Sequence, residues 1–132
     1  MKIVFLDAAS IGADIDLSGF DALGEVKRYD YSTSEEAAER ITDADVVVIK
    51  KIPINETTLK NAKNLKLVCV TATGTDNLDK DYLEKRGIAW RNVAGYSTES
   101  VAQHTFALLF YLYEKLRYYD DYVKTEQYIG DR

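Results

Sequence analysis

Five short runs of β-branched and aliphatic residues alternate along this chain with segments of helical pattern, and that alternation restricts the fold to one class. Residues 2–7, 25–29, 45–49, 66–70 and 87–93 each have the length and composition of a strand. Strand and helix in strict alternation build βα units, whose strands lie parallel in one sheet. Runs such as Val46-Val47-Val48-Ile49 lack polar alternation, which predicts strands covered on both faces and therefore helices on each side. With right-handed crossovers, five such units most economically give an α/β, doubly wound, five-stranded parallel sheet in the order 2-1-3-4-5.

The helices carry their own punctuation. Ser32 is followed at the capping-box spacing by Glu35, and Thr33 by Glu36, so a helix opens there and runs to about residue 41. Another begins near Asn55, after Pro53, and turns Leu59 and Ala62 inward. A third starts near Asp79, packs Tyr82 and Leu83, and stops at Gly87 as its C-terminal cap. The first connection, 8–24, is the least regular, with a short helix around 18–23. Ligands of such sheets bind beyond the carboxyl ends of the strands, here residues 8–12, 50–55, 71–77 and 94–98.

The last helix sets a separate problem. Capped by Ser97 or Thr98, it is expected to continue to about Val123, roughly 35 Å at the usual rise per residue. From Val101 to Tyr113 its apolar residues fall on every face, and a helix apolar all round is normally buried all round. One side of a sheet cannot do that, so residues 98–123 are read as an interface element, towards another domain or a second chain. The plainer alternative makes this helix the last cover of the sheet. Tyr118, Tyr119, Tyr122 and Tyr128 suit a half-wet contact surface.

Composition narrows the functions. The 132 residues suffice for one core and not for two domains. A net charge of -5 argues against nucleic acid, which demands clustered Lys and Arg. Cys69 is the only cysteine, so no internal disulfide forms, and a reducing, cytoplasmic location is expected. The apolar start is too short for a signal-peptide core, and no run is long enough to span a bilayer; no membrane partner is expected.

Several small-molecule chemistries fail on their residues. A phosphoacceptor site needs an Asp ending the third strand, where Ile49-Lys50-Lys51 stands instead. A flavin-phosphate loop finds only Ser10 among 8–14. The seven glycines never occur as G-x-G, so no pyrophosphate cradle of the G-x-G-x-x-G kind exists. His104, the single histidine, lies in the apolar helix and is read as a satisfied, partly buried side chain rather than a catalytic base. No metal-ligand cluster appears. What remains is Val70-Thr71-Ala72-Thr73-Gly74-Thr75-Asp76-Asn77-Leu78-Asp79, a small-residue turn whose backbone N–H groups suit a carboxylate. Gly74 is expected to supply an unusual backbone angle, and Asp76 and Asn77 to hold the turn. An ordinary strand-to-helix turn is the alternative.

The block Thr71-Ala72-Thr73-Gly74-Thr75-Asp76-Asn77-Leu78-Asp79, with Arg86-Gly87-Ile88-Ala89 and Asn92-Val93-Ala94-Gly95-Tyr96-Ser97-Thr98-Glu99-Ser100-Val101-Ala102-Gln103-His104-Thr105, resembles the N-terminal region of NAD(P)-dependent D-2-hydroxyacid dehydrogenases, nearest the glycerate dehydrogenase or hydroxypyruvate reductase branch. The resemblance spans essentially the whole chain. It implies a flavodoxin-like substrate-binding domain over residues 1–97 and, over 98–132, a long helix and tail that contact a cofactor domain or a dimer mate. It also implies a substrate carboxylate held by the backbone of Ala72, Thr73 and Gly74, Lys51 as an electrostatic helper, and Val101 close to the nicotinamide of NAD or NADP. The family's catalytic Arg, Glu and His and its glycine-rich loop sit in an inserted Rossmann domain that matches no part of this sequence. The expectation is therefore weak binding of a 2-keto or 2-hydroxy acid, a homodimer through 98–123, and neither a catalytic residue nor a cofactor held by this chain alone. The competing class is a non-enzymatic module for protein association or weak anion binding.

Overall fold

The computed structural model describes residues 1–130 and divides the chain into two compact units, Met1–Ala94 and Gly95–Arg132. The end of the expected 98–132 segment, residues 131 and 132, lies outside the described residues. In the first unit β1 (Lys2–Phe5), β2 (Glu25–Arg28), β3 (Val46–Ile49), β4 (Leu67–Val70) and β5 (Ala89–Asn92) form one parallel sheet in the order β2-β1-β3-β4-β5. Each strand is one to three residues shorter than the span expected for it, but the topology is the one the alternation predicts.

Three helices follow the punctuation. α1 (Ser34–Arg40) starts with the Thr33–Glu36 capping box, the Thr33 hydroxyl accepting from the Glu36 N–H while the Glu36 carboxylate accepts from the Thr33 N–H. α2 (Glu56–Leu59) is capped by the Asn55 side chain, and α3 (Lys80–Lys85) by Asp79, which accepts from the Tyr82 N–H. Gly87 closes α3 with φ +65°, in the left-handed region its Schellman-type role requires. All three pack on one sheet face, where Ala37, Ile41, Leu59 and Leu83 close over Val4, Leu6, Val47, Ile49, Val68 and Val70.

The other face departs from expectation. Instead of helices, two 3-10 segments, Ala8–Ser10 and Ser18–Leu23, lie in the first connection, and Ala8, Ile11, Leu17 and Phe20 cover Ile3, Phe5 and Val48. Towards β4 and β5 this face is less covered: Leu67 and Cys69 are half-buried, Ala89 and Arg91 exposed. The connection has glycines at 12, 19 and 24, which disfavour a longer regular helix. Burial pushes the Cys69 thiol up from its ordinary pKa, which disfavours a reactive thiolate.

At the amino ends of the strands Asp45 joins three of them. Its carboxylate accepts from the Lys2 N–H at 2.8 Å and from Lys66 Nζ at 3.3 Å. The Lys2 backbone hydrogen bond, then Lys66, holds this carboxyl below the usual aspartate range. A lowered folded pKa stabilises the fold above the unfolded value, about pH 4, and that contribution disappears as pH falls through the folded value. Urea midpoints of Asp45→Asn are therefore expected below those of the unmutated chain at pH 6, with a gap that narrows as pH is lowered from about 4; a gap that stays constant or widens on acidification would contradict this linkage.

The second unit consists of α4 (Thr98–Tyr113), α5 (Leu116–Lys124) and α6 (Gln127–Gly130). The single helix expected to run to Val123 is broken. Lys115 takes φ +49°, ψ +42°, a left-handed residue that ends one helix and precedes the next, and Glu126 at φ +56° does the same before α6. Ser97 occupies the N-cap position of α4 without a side-chain cap bond. Tyr118 and Tyr122, one turn apart in α5, stack at 6.1 Å, and across the break at Glu126 Tyr122 meets Tyr128 at 6.5 Å. No residue of α4 or α5 is buried; Val101, Phe106 and Leu112 are each more than half exposed, and His104 is exposed rather than partly buried. Among the described residues no helix is long and apolar enough to cross a membrane.

Candidate functional site

β3 and β4 lie side by side, with Ile49 in register with Val70, so the two loops leaving their carboxyl ends are neighbours. The first loop is Lys50-Lys51-Ile52-Pro53. Asp7, just past β1 and buried, accepts there from the Lys50 N–H at 2.9 and 3.0 Å through its two oxygens, and from the Lys51 N–H at 2.7 Å. A buried carboxylate satisfied by backbone N–H groups is a firm anchor.

The second loop, 71–79, is tied down on both flanks. Towards β3, Thr71 donates its N–H to Ile49 O at 2.7 Å, and Asn77 Nδ2 donates to Ile52 O at 2.9 Å and Lys50 O at 3.4 Å. Ile54 N–H donates to Asn77 O and Asp79 N–H to Ile54 O, both at 2.8 Å. Towards β5, Val93 N–H donates to Ala72 O at 3.1 Å, Asn92 Nδ2 to Thr73 O at 2.7 Å, and Thr73 Oγ1 to Val93 O at 3.0 Å.

These bonds use the carbonyls of Ala72 and Thr73 and leave their amides. Among the described residues, the N–H groups of Ala72, Thr73 and Gly74 have no acceptor. Ala72 is half-buried, Thr73 and Gly74 are exposed. The two lysines of the facing loop differ: Lys50 Nζ donates to Ser10 O at 2.5 Å, whereas the exposed Lys51 side chain makes no hydrogen bond or ion pair among the described residues. Unpaired backbone donors together with an uncommitted cation suit a small carboxylate.

Not every expectation survives. Gly74 lacks the unusual backbone angle predicted for it; a Cβ there would meet Asp76 Oδ1 at 3.0 Å, the movable end of an exposed side chain. Asp76 makes no hydrogen bond among the described residues, so of the two polar residues Asn77 alone holds the turn, and it does so by reaching the neighbouring loop. Val101 lies in the first turn of α4, in the other unit. Asp7 escapes the sequence reading; its signal is an acidic residue directly after the apolar run Ile3-Val4-Phe5-Leu6. Among the described residues no group of three or more His, Cys, Asp or Glu is placed to hold a metal.

Comparison with known proteins shows which family the chain belongs to. The family model for the D-isomer specific 2-hydroxyacid dehydrogenase catalytic domain matches residues 3–129. A putative 2-hydroxyacid dehydrogenase of Haemophilus influenzae is 40% identical over 116 residues, 88% of this chain and 37% of that protein. Glycerate dehydrogenase of Methylorubrum extorquens is 38% identical over 112 residues, 84% of this chain and 35% of the relative. The crystal structure of D-lactate dehydrogenase from Aquifex aeolicus complexed with NAD and lactic acid superimposes with a TM-score of 0.75 at 28% identity, over 93% of this chain and 37% of that one. The chain thus spans little more than a third of the length of the curated relatives it matches.

Proposed function

Since the chain belongs to the D-isomer specific 2-hydroxyacid dehydrogenase family, we propose that it provides the substrate-binding part of an enzyme that interconverts a 2-keto acid and a D-2-hydroxy acid. One observation carries this reading: among the described residues, the amides of Ala72, Thr73 and Gly74 lack acceptors and the Lys51 side chain on the adjacent loop lacks a partner. In this reading the three N–H groups take the substrate carboxylate and Lys51 adds long-range attraction for the anion.

The chemical step needs more than these residues. The nicotinamide cofactor supplies the hydride in this class of reaction, but nothing in the sequence fits its pyrophosphate: no two glycines are spaced G-x-G, and the turn after β1 is filled by the 3-10 segment Ala8–Ser10. On this reading residues 1–97 form the substrate domain and 98–132 an interdomain or dimer element. Val101 approaches the nicotinamide only when a cofactor domain is present, and the exposed apolar side chains of α4 pair two copies as a homodimer. These 132 residues alone oxidise no NADH. The lone, half-buried Cys69 suits a cytoplasmic location.

Calorimetric titration tests the carboxylate claim. Hydroxypyruvate is expected to bind with a dissociation constant of about millimolar, in keeping with its few atoms. Dihydroxyacetone, which replaces the carboxylate by a hydroxymethyl group, is expected to bind at least about tenfold more weakly, and Lys51→Ala to weaken hydroxypyruvate binding by several-fold. Equal affinity for the two compounds would refute the role of the amides.

A further inference from the structure

We propose that Asp7 and Asn77 are positioning residues of this site, which together fix the Lys51 loop against the amides of the 72–74 turn. The inference rests on the substrate reading above and goes beyond it in naming what sets the geometry.

The two side chains act on the same short loop from opposite directions. Asp7 takes its amides, receiving the N–H groups of Lys50 and Lys51. Asn77 takes its carbonyls, donating from Nδ2 to Lys50 and Ile52. The peptide unit between Lys50 and Lys51 is thus held at both ends, and the Ile52 carbonyl beyond it is held as well, which restrains the backbone on either side of Lys51. Asn77 also belongs to the turn that bears the free amides, so its side chain is a direct tie between the cation's loop and the N–H groups. Asp7 is 6% exposed, and a carboxylate is expected at such a depth only when its oxygens are satisfied. A bound carboxylate gains most from donors and a cation already in place, because less order must be created on binding. Asp7 and Asn77 touch no substrate in this account; they act through Lys51 and the turn.

The test is a double-mutant cycle on the 132-residue chain labelled with 15N, titrated with hydroxypyruvate and followed at the Thr73 and Gly74 amides. Asn77→Ala is expected to raise the dissociation constant about fivefold and to speed amide exchange at residues 50–52 by about tenfold. In the Lys51→Ala background the same change is expected to cost little further affinity, since the cation it positions is gone. Asp7→Asn, which keeps the side-chain volume, is expected to act likewise; should it fail to fold, the Asn77 cycle decides alone. Equal losses from Asn77→Ala with and without Lys51 would show a general structural effect and overturn the proposal, as would an unchanged dissociation constant while the unmutated chain binds. If hydroxypyruvate leaves the Thr73 and Gly74 amides of the unmutated chain unmoved, the substrate reading fails first and this inference falls with it.

Discussion

Gly24→Ala is expected to lower the thermal midpoint of the sheet by about 10–20 °C, one of the two largest losses of any single change considered. Gly24 precedes β2 with φ +153°, and a Cβ built on it falls 2.1 Å from Met1 O and 3.0 Å from the Met1 carbonyl carbon. The obstacle is backbone, which cannot rotate aside. The same oxygen accepts from the Glu25 N–H at 3.0 Å, beside the first aligned pair of the β1–β2 ladder, Lys2 with Glu25. An added methyl group therefore pushes β2 away from β1, and Val26 is withdrawn from its contacts with the cluster of Ile3, Phe5 and Val48. Overpacking against a fixed backbone costs about 2–4 kcal/mol together with the strain at this angle, and each kcal/mol shifts the midpoint of a domain this size by roughly 4–8 °C. Gly19→Ala, where a Cβ meets nothing within 4 Å, is the control. Circular dichroism melts in which both variants stay within about 3 °C of the parent would contradict the argument.

Phe5→Ala is expected to cost about 3–5 kcal/mol, the range for deleting a buried aromatic ring. Phe5 is 1% exposed, the largest of the fully buried side chains, and its ring meets Phe20 edge-on at 5.1 Å. Within the first unit it lies on the face covered by the 3-10 segments of the first connection, so none of α1 to α3 can settle into the space left behind. The half-buried Phe20 should lose less on truncation, because part of its surface already meets water. Urea unfolding that places Phe5→Ala within about 1 kcal/mol of the parent would mean that this second cluster contributes little.

Both changes bear on the site as well as on stability, since β1 leads directly to Asp7. The strands were legible because period and composition agreed: Val46-Val47-Val48-Ile49 reads as a buried parallel strand and is one. The helix starts were legible because caps are local chemistry, as at Thr33 with Glu36, Asn55 and Asp79. The break at Lys115 was not, because a lysine gives no sign that it will adopt a left-handed backbone, and neither was the one at Glu126, across which Tyr122 meets Tyr128 six positions on. Glycine misled in the opposite sense at Gly74, where the chain needs no special angle.

The site was legible as a segment and not as a mechanism. Small residues from Thr71 to Gly74 mark a turn open to a ligand, but which of its N–H groups stay free depends on the bonds their carbonyls make to Asn92 and Val93, some twenty residues away. The same distance hides Asp7, whose partners lie 43 and 44 residues further along the chain. Lys50 and Lys51 are equivalent in sequence and become distinct only when Lys50 reaches Ser10.

The claim that the 72–74 turn receives the carboxylate is most directly tested by mapping amide shifts across the whole 15N-labelled chain during titration with glyoxylate, the smallest 2-keto acid. Saturable shifts are expected to concentrate at Ala72, Thr73 and Gly74, with smaller ones at Lys50 and Lys51, and none of comparable size on α1 or α3. Saturable shifts confined to another surface, or no saturable shift at the three turn amides at concentrations well above millimolar, would contradict it.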